Sequence, residues 1–287
     1  MSTLDARLHA CREDLADESL RGKVEASHWV KATPAQVCVG VAPVHKRPDE
    51  TAMQLTQALQ GETCHVFERK TGWAWVQLSR DGYVGYVREA ALAAPSHATA
   101  THRVSNVSTW RFPKPDLKSQ PATALYMNSE VAVKEVQGNY ALLESGGAVF
   151  AGHLSAVEKP ESDFVTVAEK FLHVPYLWGG KTCAGTDCSG LVQSALHASG
   201  IICPRDSDMQ EKQLGEAIAI DSNLRRGDLI FWPGHVGIMQ SATQLLHANG
   251  HFMMVTSEPL AAAVARSEKP VSAVRRLSAK SPNPAAK

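Results

Sequence analysis

At 287 residues, with 44% hydrophobic residues, the chain is long enough for two or three domains that each bury a core. Its 29 basic residues balance 29 acidic ones, so no overall field draws it to nucleic acid or to an anionic membrane surface. No apolar run approaches the roughly 20 residues of a membrane span, and a soluble protein is expected.

The opening stretch "MSTLDARLHACREDLADESLRGKVEA" alternates acids and bases. It has no apolar segment flanked by a small-residue cleavage site, so export is not expected and the cytoplasm is the expected location. The six cysteines, Cys11, Cys38, Cys64, Cys183, Cys188 and Cys203, have no framework spacing, which fits free thiols in a reducing compartment. Residues 1–27 read as a polar lead-in with a short helical piece.

From His28 to Ala94 the pattern changes to short apolar runs, "QVCVGVAPV", "TCHVFER", "WAWVQL" and "DGYVGYV". That is a small all-β domain, residues 28–94, with tight turns at Thr71-Gly72 and Asp81-Gly82. Residues 93–102, "AAPSHATATH", read as a linker. A second β domain spans 103–158. Its "RFPKP" echoes "HKRPD" in the first, and "TALYMNSEVAVKEVQGNYALLES" echoes "TQALQGETCHVFERKTGWAWVQL", an imperfect tandem repeat.

Residues 161–280 have a different texture. A helix is expected over Phe164–Leu172, ending ahead of Pro175, and another over Ser189–Ser199, closed by Gly200. Strands follow at "DLIFW", "HVGIMQ" and "TQLLHA", with a fourth near Val274, giving an α+β domain.

Cys188 stands where the loop Gly185-Thr186-Asp187 meets the second helix. Unpaired N–H groups and the positive end of the dipole then face its sulfur, and such a setting lowers a thiol from about 8.5 to roughly 3.5–7.5. The bland reading is a buried helix cysteine. A nucleophilic thiol needs a base, and His235 and His247 lie on successive strands. A hairpin centred on Ser241 makes them direct cross-strand neighbours, with Cβ atoms roughly 4.5–5.5 Å apart on one face. His235 would take the thiol proton and His247 would orient His235, with Asn249 as the other candidate orienter. His173, His197 and His251 read as solvated or core histidines. A zinc site from Cys183, Cys188 and Cys203 lacks chelating spacing, and a Cys183/Cys188 redox pair lacks the C-x-x-C geometry.

Taken together, "PYLWGGKTCAGTDCSGLVQ", "CPRDSDMQ", "LRRGDLIFWPGHVGIM" and "LLHANGH" resemble, in order and spacing, the NlpC/p60 family of papain-like bacterial cysteine peptidases. The two β domains in front resemble bacterial SH3-like domains. The resemblance implies a multidomain fold, two small all-β SH3-like barrels followed by an α+β papain-like catalytic domain. It implies Cys188 as nucleophile, His235 as base, His247 as third polar residue, and Tyr176 as an oxyanion-hole hydroxyl beside the Cys188 N–H.

Relatives of this kind cleave the bond from γ-D-Glu to an L-diamino acid, diaminopimelate or Lys, in murein peptides with a free N-terminal L-Ala. By resemblance, Asp187 and Asp206 would hold the terminal ammonium, and Ser189, Ser207 and Arg205 the D-Glu carboxylate. Trp178 would also contact substrate. Glu50 and Tyr83 of the first SH3-like domain would close the amine pocket, with Tyr86 and Trp75 as rivals. The implied partner is a small murein peptide in recycling, with no nucleic acid, membrane, metal or cofactor, and oligomeric state left open. The alternatives are an amidase or acyltransferase on the same fold, or a non-catalytic wall-peptide-binding protein.

Overall fold

The computed structural model describes residues 4–220 and 223–278. The chain divides into two units, residues 1–157 and 158–287.

In the first unit a seven-stranded antiparallel sheet runs in the spatial order Gln54–Leu59, Val41–His45, Val84–Arg88, Trp73–Leu78, Thr63–Lys70, Thr33–Val37, Leu92–Ala93. Alternating β-branched and small residues put Val37, Val44, Val66, Val76 and Leu78 on one face, where they form the core. The Lys70–Trp73 hairpin turns through Thr71 (φ 51°) and Gly72 (φ 79°), the left-handed pair that a two-residue loop requires.

The polar lead-in expected over residues 1–27 does contain a short helical piece, and it packs on the sheet. Among its described residues only Glu18–Leu20 form a helical turn, of the 3₁₀ type, and Leu15–Asp17 pairs in parallel with His28–Val30. Ala10 packs on Phe67, Trp75 and Val84. Arg12 reaches Glu68 and the Tyr86 hydroxyl, both at 2.8 Å, with its guanidinium 4.4 Å over the Trp75 ring. The stretch reads as polar because its buried apolar residues, Ala10, Ala16 and Leu20, are too scattered among charges to mark a face.

Residues 102–156 of this unit form a three-stranded and a five-stranded sheet around Val104, Leu125, Val131, Leu143 and Val149.

The second unit begins with the Phe164–Glu169 helix, whose N-cap Asp163 accepts from Val165 N at 2.9 Å. The buried Cys188–Ala198 helix follows, and Gly200 (φ 73°) ends it as expected. Behind this helix lies a six-stranded antiparallel sheet in the order Glu216–Ile218, Ala273–Arg276, Asp228–Trp232, His235–Met239, Gln244–Asn249, Met254–Pro259. The strand near Val274 is where the sequence put it. Two strands at the sheet edges, Glu216–Ile218 and Met254–Pro259, and the helices Ser207–Gln213 and Leu260–Arg266 complete the unit. No helix among the described residues is long and apolar enough to cross a membrane.

Candidate active site

Cys188 is the first residue of its helix and 6% exposed. The residue before it decides its surroundings. Asp187 caps the helix, and its Oδ1 accepts from Gly190 N at 2.7 Å and its Oδ2 from Gly179 N at 2.8 Å. Arg205, 1% exposed, grips the same carboxylate through Nη1 at 2.9 Å and Nη2 at 2.7 Å, and also donates to Ser189 Oγ at 2.8 Å. Asp187, Ser189 and Arg205 are thus joined in a buried network under the nucleophile. This departs from the expectation that Asp187 and Arg205 meet the charged ends of a substrate, because two opposite buried charges satisfy each other first.

The same arrangement overturns the lowered thiol. The carboxylate capping the helix offsets the dipole that was to stabilise a thiolate. Burial pushes the Cys188 thiol up to about 12, and Asp187 adds to the rise; the N–H groups of Val236 and Ser189, directed at the sulfur, and Arg205 oppose it. The Val236 contact places the sulfur against the start of the His235–Met239 strand.

On that strand His235 lies within hydrogen-bond distance of His247, Nε2 to Nδ1 at 2.8 Å. They are not direct cross-strand neighbours. A three-residue turn, Ser241 to Thr243, pairs Met239 with Leu245 and Ile238 with Leu246, so the hairpin centres on Ala242 and not Ser241. The slip is two residues, which preserves the face while moving His235 to a diagonal position. The imidazole reaches across because the residue facing His247 is Gly237, where an added Cβ would come within 3.3 Å of the His247 Cβ and 2.7 Å of Leu245 Cδ1.

Asn249, the other candidate orienter, is committed elsewhere: it accepts from Phe252 N at 2.9 Å and donates to Thr256 Oγ1 at 2.8 Å. His247 Nε2 meets instead Glu258 Oε1 at 2.8 Å, and Arg266 binds both oxygens of Glu258. Sequence reading missed Glu258. Its strand, "MVTSEP", has no apolar alternation, and only the pairing of His247 with Thr256 brings Glu258, two residues on, to the histidine face.

Burial holds His235 down to about 3, helped by His247 and Arg266, and burial also lowers His247 against the pull of Glu258. A cavity of about 330 Å³ opens beside the two histidines, bounded by Trp232, Pro233, Asn249, His251, Arg266 and Lys269, among others.

Tyr176 is half-buried, and its main chain is tied to Met253 O at 2.9 Å. Burial, then Cys188 and Asp187, raise the phenol, so its hydroxyl stays protonated near the sulfur. Trp178 is 59% exposed on the loop that follows. Asp206 and Ser207, both half-buried, head the Ser207–Gln213 helix. Cys183 is a half-buried free thiol between the short strands Lys181–Thr182 and Gly185–Thr186.

In the first unit, Glu50 is exposed and bonded to Arg88. Tyr83 is 3% exposed in the core of the seven-stranded sheet, which corrects its expected place at a substrate. Of its rivals Trp75 is also buried, whereas Tyr86 is half-buried and lines, with Trp73, Glu68 and Arg12, a cavity of about 370 Å³.

Comparison with known proteins places these features. Residues 44–92 match the bacterial dipeptidyl-peptidase SH3 domain and residues 173–268 the NlpC/P60 family. Over 85 residues, 30% of this chain and 31% of the relative, the sequence is 40% identical to dipeptidyl-peptidase 6 of Lysinibacillus sphaericus. Over 209 residues, 62% of this chain and 59% of the relative, it is 26% identical to a γ-D-glutamyl-L-lysine dipeptidyl-peptidase of Bacillus cereus. The chain thus spans under two thirds of the length of either. A crystal structure of an NlpC/P60 family protein from Bacillus cereus shares the fold, with a TM-score of 0.72 at 21% identity over 85% of this chain and 99% of the other. The chain therefore carries a bacterial dipeptidyl-peptidase SH3 domain followed by a domain of the NlpC/P60 family, to which its residues 173–268 belong.

Proposed function

We propose that the protein is a cysteine peptidase that cleaves the γ-D-Glu to L-diamino acid bond of small murein peptides with a free N-terminal L-Ala, in cytoplasmic recycling. The observation that carries this reading is the head of the Cys188–Ala198 helix set against the strand bearing His235, whose imidazole is bonded to His247. The names of its relatives, dipeptidyl-peptidase 6 and γ-D-glutamyl-L-lysine dipeptidyl-peptidase, supply the substrate class.

With a neutral thiol beside a neutral imidazole, attack and proton transfer go together. As the Cys188 sulfur bonds to the γ-carbonyl carbon of D-Glu, its proton passes to His235, the general base. The oxyanion accepts from Cys188 N–H and the Tyr176 hydroxyl; such donors are worth on the order of 2.7–4 kcal/mol each. Collapse expels the diamino-acid amine, which takes the proton from His235. Water, deprotonated by the same imidazole, then hydrolyses the thioester and restores the thiol.

Asp206 and Ser207 are the polar groups assigned to the charged ends of the peptide. The buried network of Asp187, Ser189 and Arg205 holds the head of the Cys188 helix.

Mass spectrometry of L-Ala-γ-D-Glu-diaminopimelate incubated with the protein tests the reading. Wild type is expected to release the L-Ala-γ-D-Glu dipeptide, and Cys188→Ala none. Absence of dipeptide with active wild-type preparations sinks the peptidase assignment, and equal cleavage of the N-acetylated peptide removes the free-amine requirement alone.

A further inference from the structure

We infer that Glu258, clamped by Arg266, is a positioning residue that sets which nitrogen of His235 carries the proton, through His247. The inference rests on the peptidase reading and deepens it, since it assigns the direction of proton flow at the same site.

The chemistry follows from donors and acceptors in sequence. Both Arg266 Nη groups donate to Glu258, and that guanidinium, with His247, holds the carboxyl below the usual carboxylate range. An ionised carboxylate only accepts, so the 2.8 Å contact to His247 Nε2 requires the proton on that nitrogen. A neutral imidazole has one N–H, and burial keeps His247 neutral. Its Nδ1 is then a lone pair, and the 2.8 Å contact to His235 Nε2 requires a proton there in turn. Neutral His235 is left with Nδ1 unprotonated, the nitrogen able to take the proton of Cys188.

Two histidines in series carry the constraint from the carboxylate to the base. With Glu258 removed, His247 can adopt either tautomer. In the wrong one His247 Nδ1–H donates to His235 Nε2, and the His235 proton moves to Nδ1, where it blocks the base.

The groups around this chain of contacts do not supply the constraint by themselves. Trp232 packs on the His235 ring at 5.6 Å, and Lys269, Glu268 and His251 border the cavity beside it. Among the described residues, Glu258 is the anion hydrogen-bonded to His247. Arg266 in addition lies over the Phe252 ring at 5.4 Å, which fixes the clamp from its other side.

The test is nitrogen NMR of the protein labelled in its histidine rings, with no substrate present, alongside kcat and KM on the tripeptide. Wild type at neutral pH is expected to show His235 and His247 both protonated at Nε2. Glu258→Ala is expected to give mixed tautomers at both rings and to lower kcat by at least about tenfold, with KM within about twofold; a base in the wrong tautomer can cost on the order of 10⁴ in kcat. Glu258→Gln keeps the shape but can turn an amide N–H toward His247, so it too is expected to mix the tautomers, and it serves where the alanine variant fails to fold. Finding His235 protonated at Nδ1 in wild type overturns the inference, as do unchanged tautomers and kcat in a folded Glu258 variant. The ring measurement needs no turnover, so an inactive wild type would count against the peptidase reading and leave the tautomer result standing.

Discussion

Asp187 shows how one side chain can reverse the meaning of its neighbour. A cysteine at a helix N-terminus suggests a stabilised thiolate, yet here the preceding carboxylate takes the helix N–H groups and faces the sulfur as a like charge. With the thiol pushed up to about 12, alkylation of Cys188 by iodoacetamide should be slow at pH 7 and climb through the alkaline range. A rate already on its plateau at pH 6 would show a resting thiolate and refute the neutral pair. Asp187→Asn should be costly for a different reason. It leaves the Arg205 guanidinium, 1% exposed, without its counter-charge, and breaking such a buried pair costs about 3–5 kcal/mol. Chemical denaturation of the variant checks this, and a loss under about 1 kcal/mol would mean that Arg205 finds another anion.

At the scale of elements, the two glycines Gly190 and Gly237 allow helix and hairpin to approach their neighbours. A Cβ on Gly190 would sit 2.1 Å from the Gly180 carbonyl oxygen, so the first turn of the Cys188 helix lies directly on the preceding loop. Gly190→Ala must push backbone apart, and is expected to destabilise the protein by about 1–3 kcal/mol and to displace Cys188, lowering activity as well. A variant with wild-type melting temperature and kcat would show that the loop yields freely. The hairpin carried the largest error of register in the sequence reading. Parity is legible in sequence because side chains alternate, so the shared face of His235 and His247 was readable. Loop length is not, because "QSATQ" can turn about Ser241 or Ala242 with the same composition.

For the whole molecule, the neutral buried histidines make stability depend on pH. His235, held down to about 3, and His247, also lowered, take up protons near 6.5 once unfolded. Between about 3 and 6.5 the unfolded chain therefore binds the proton that folded His235 refuses, and stability rises with pH by up to about 1.4 kcal/mol per unit from that group, with His247 adding the same sign. The contribution is complete above 6.5 and is lost as pH falls toward 3. The lowered carboxyls of Asp163, Glu169 and Glu258 add the same sign at lower pH. Hydrogen exchange in the His235–Met239 strand should accordingly lose protection from pH 7 to pH 5 beyond the intrinsic rate, and His235→Gln should flatten the change. Equal protection at the two pH values in wild type would contradict burial of the neutral ring.

The sequence by itself determined the elements with strong local signals: the Cys188 helix with its Gly200 end, the β domain with its Thr71-Gly72 turn, and the shared face of the two histidines. Those depend on periodicity and on backbone conformations that few residues adopt. Tertiary structure alone decided that Asp187 belongs to Arg205, that Tyr83 packs inward while Tyr86 lines a cavity, and that Glu258 stands behind His247. Arg205 lies 18 residues from Asp187 and Glu258 lies 11 from His247. A charged side chain has no period, and its partner is chosen only when folding removes the water that would otherwise satisfy both.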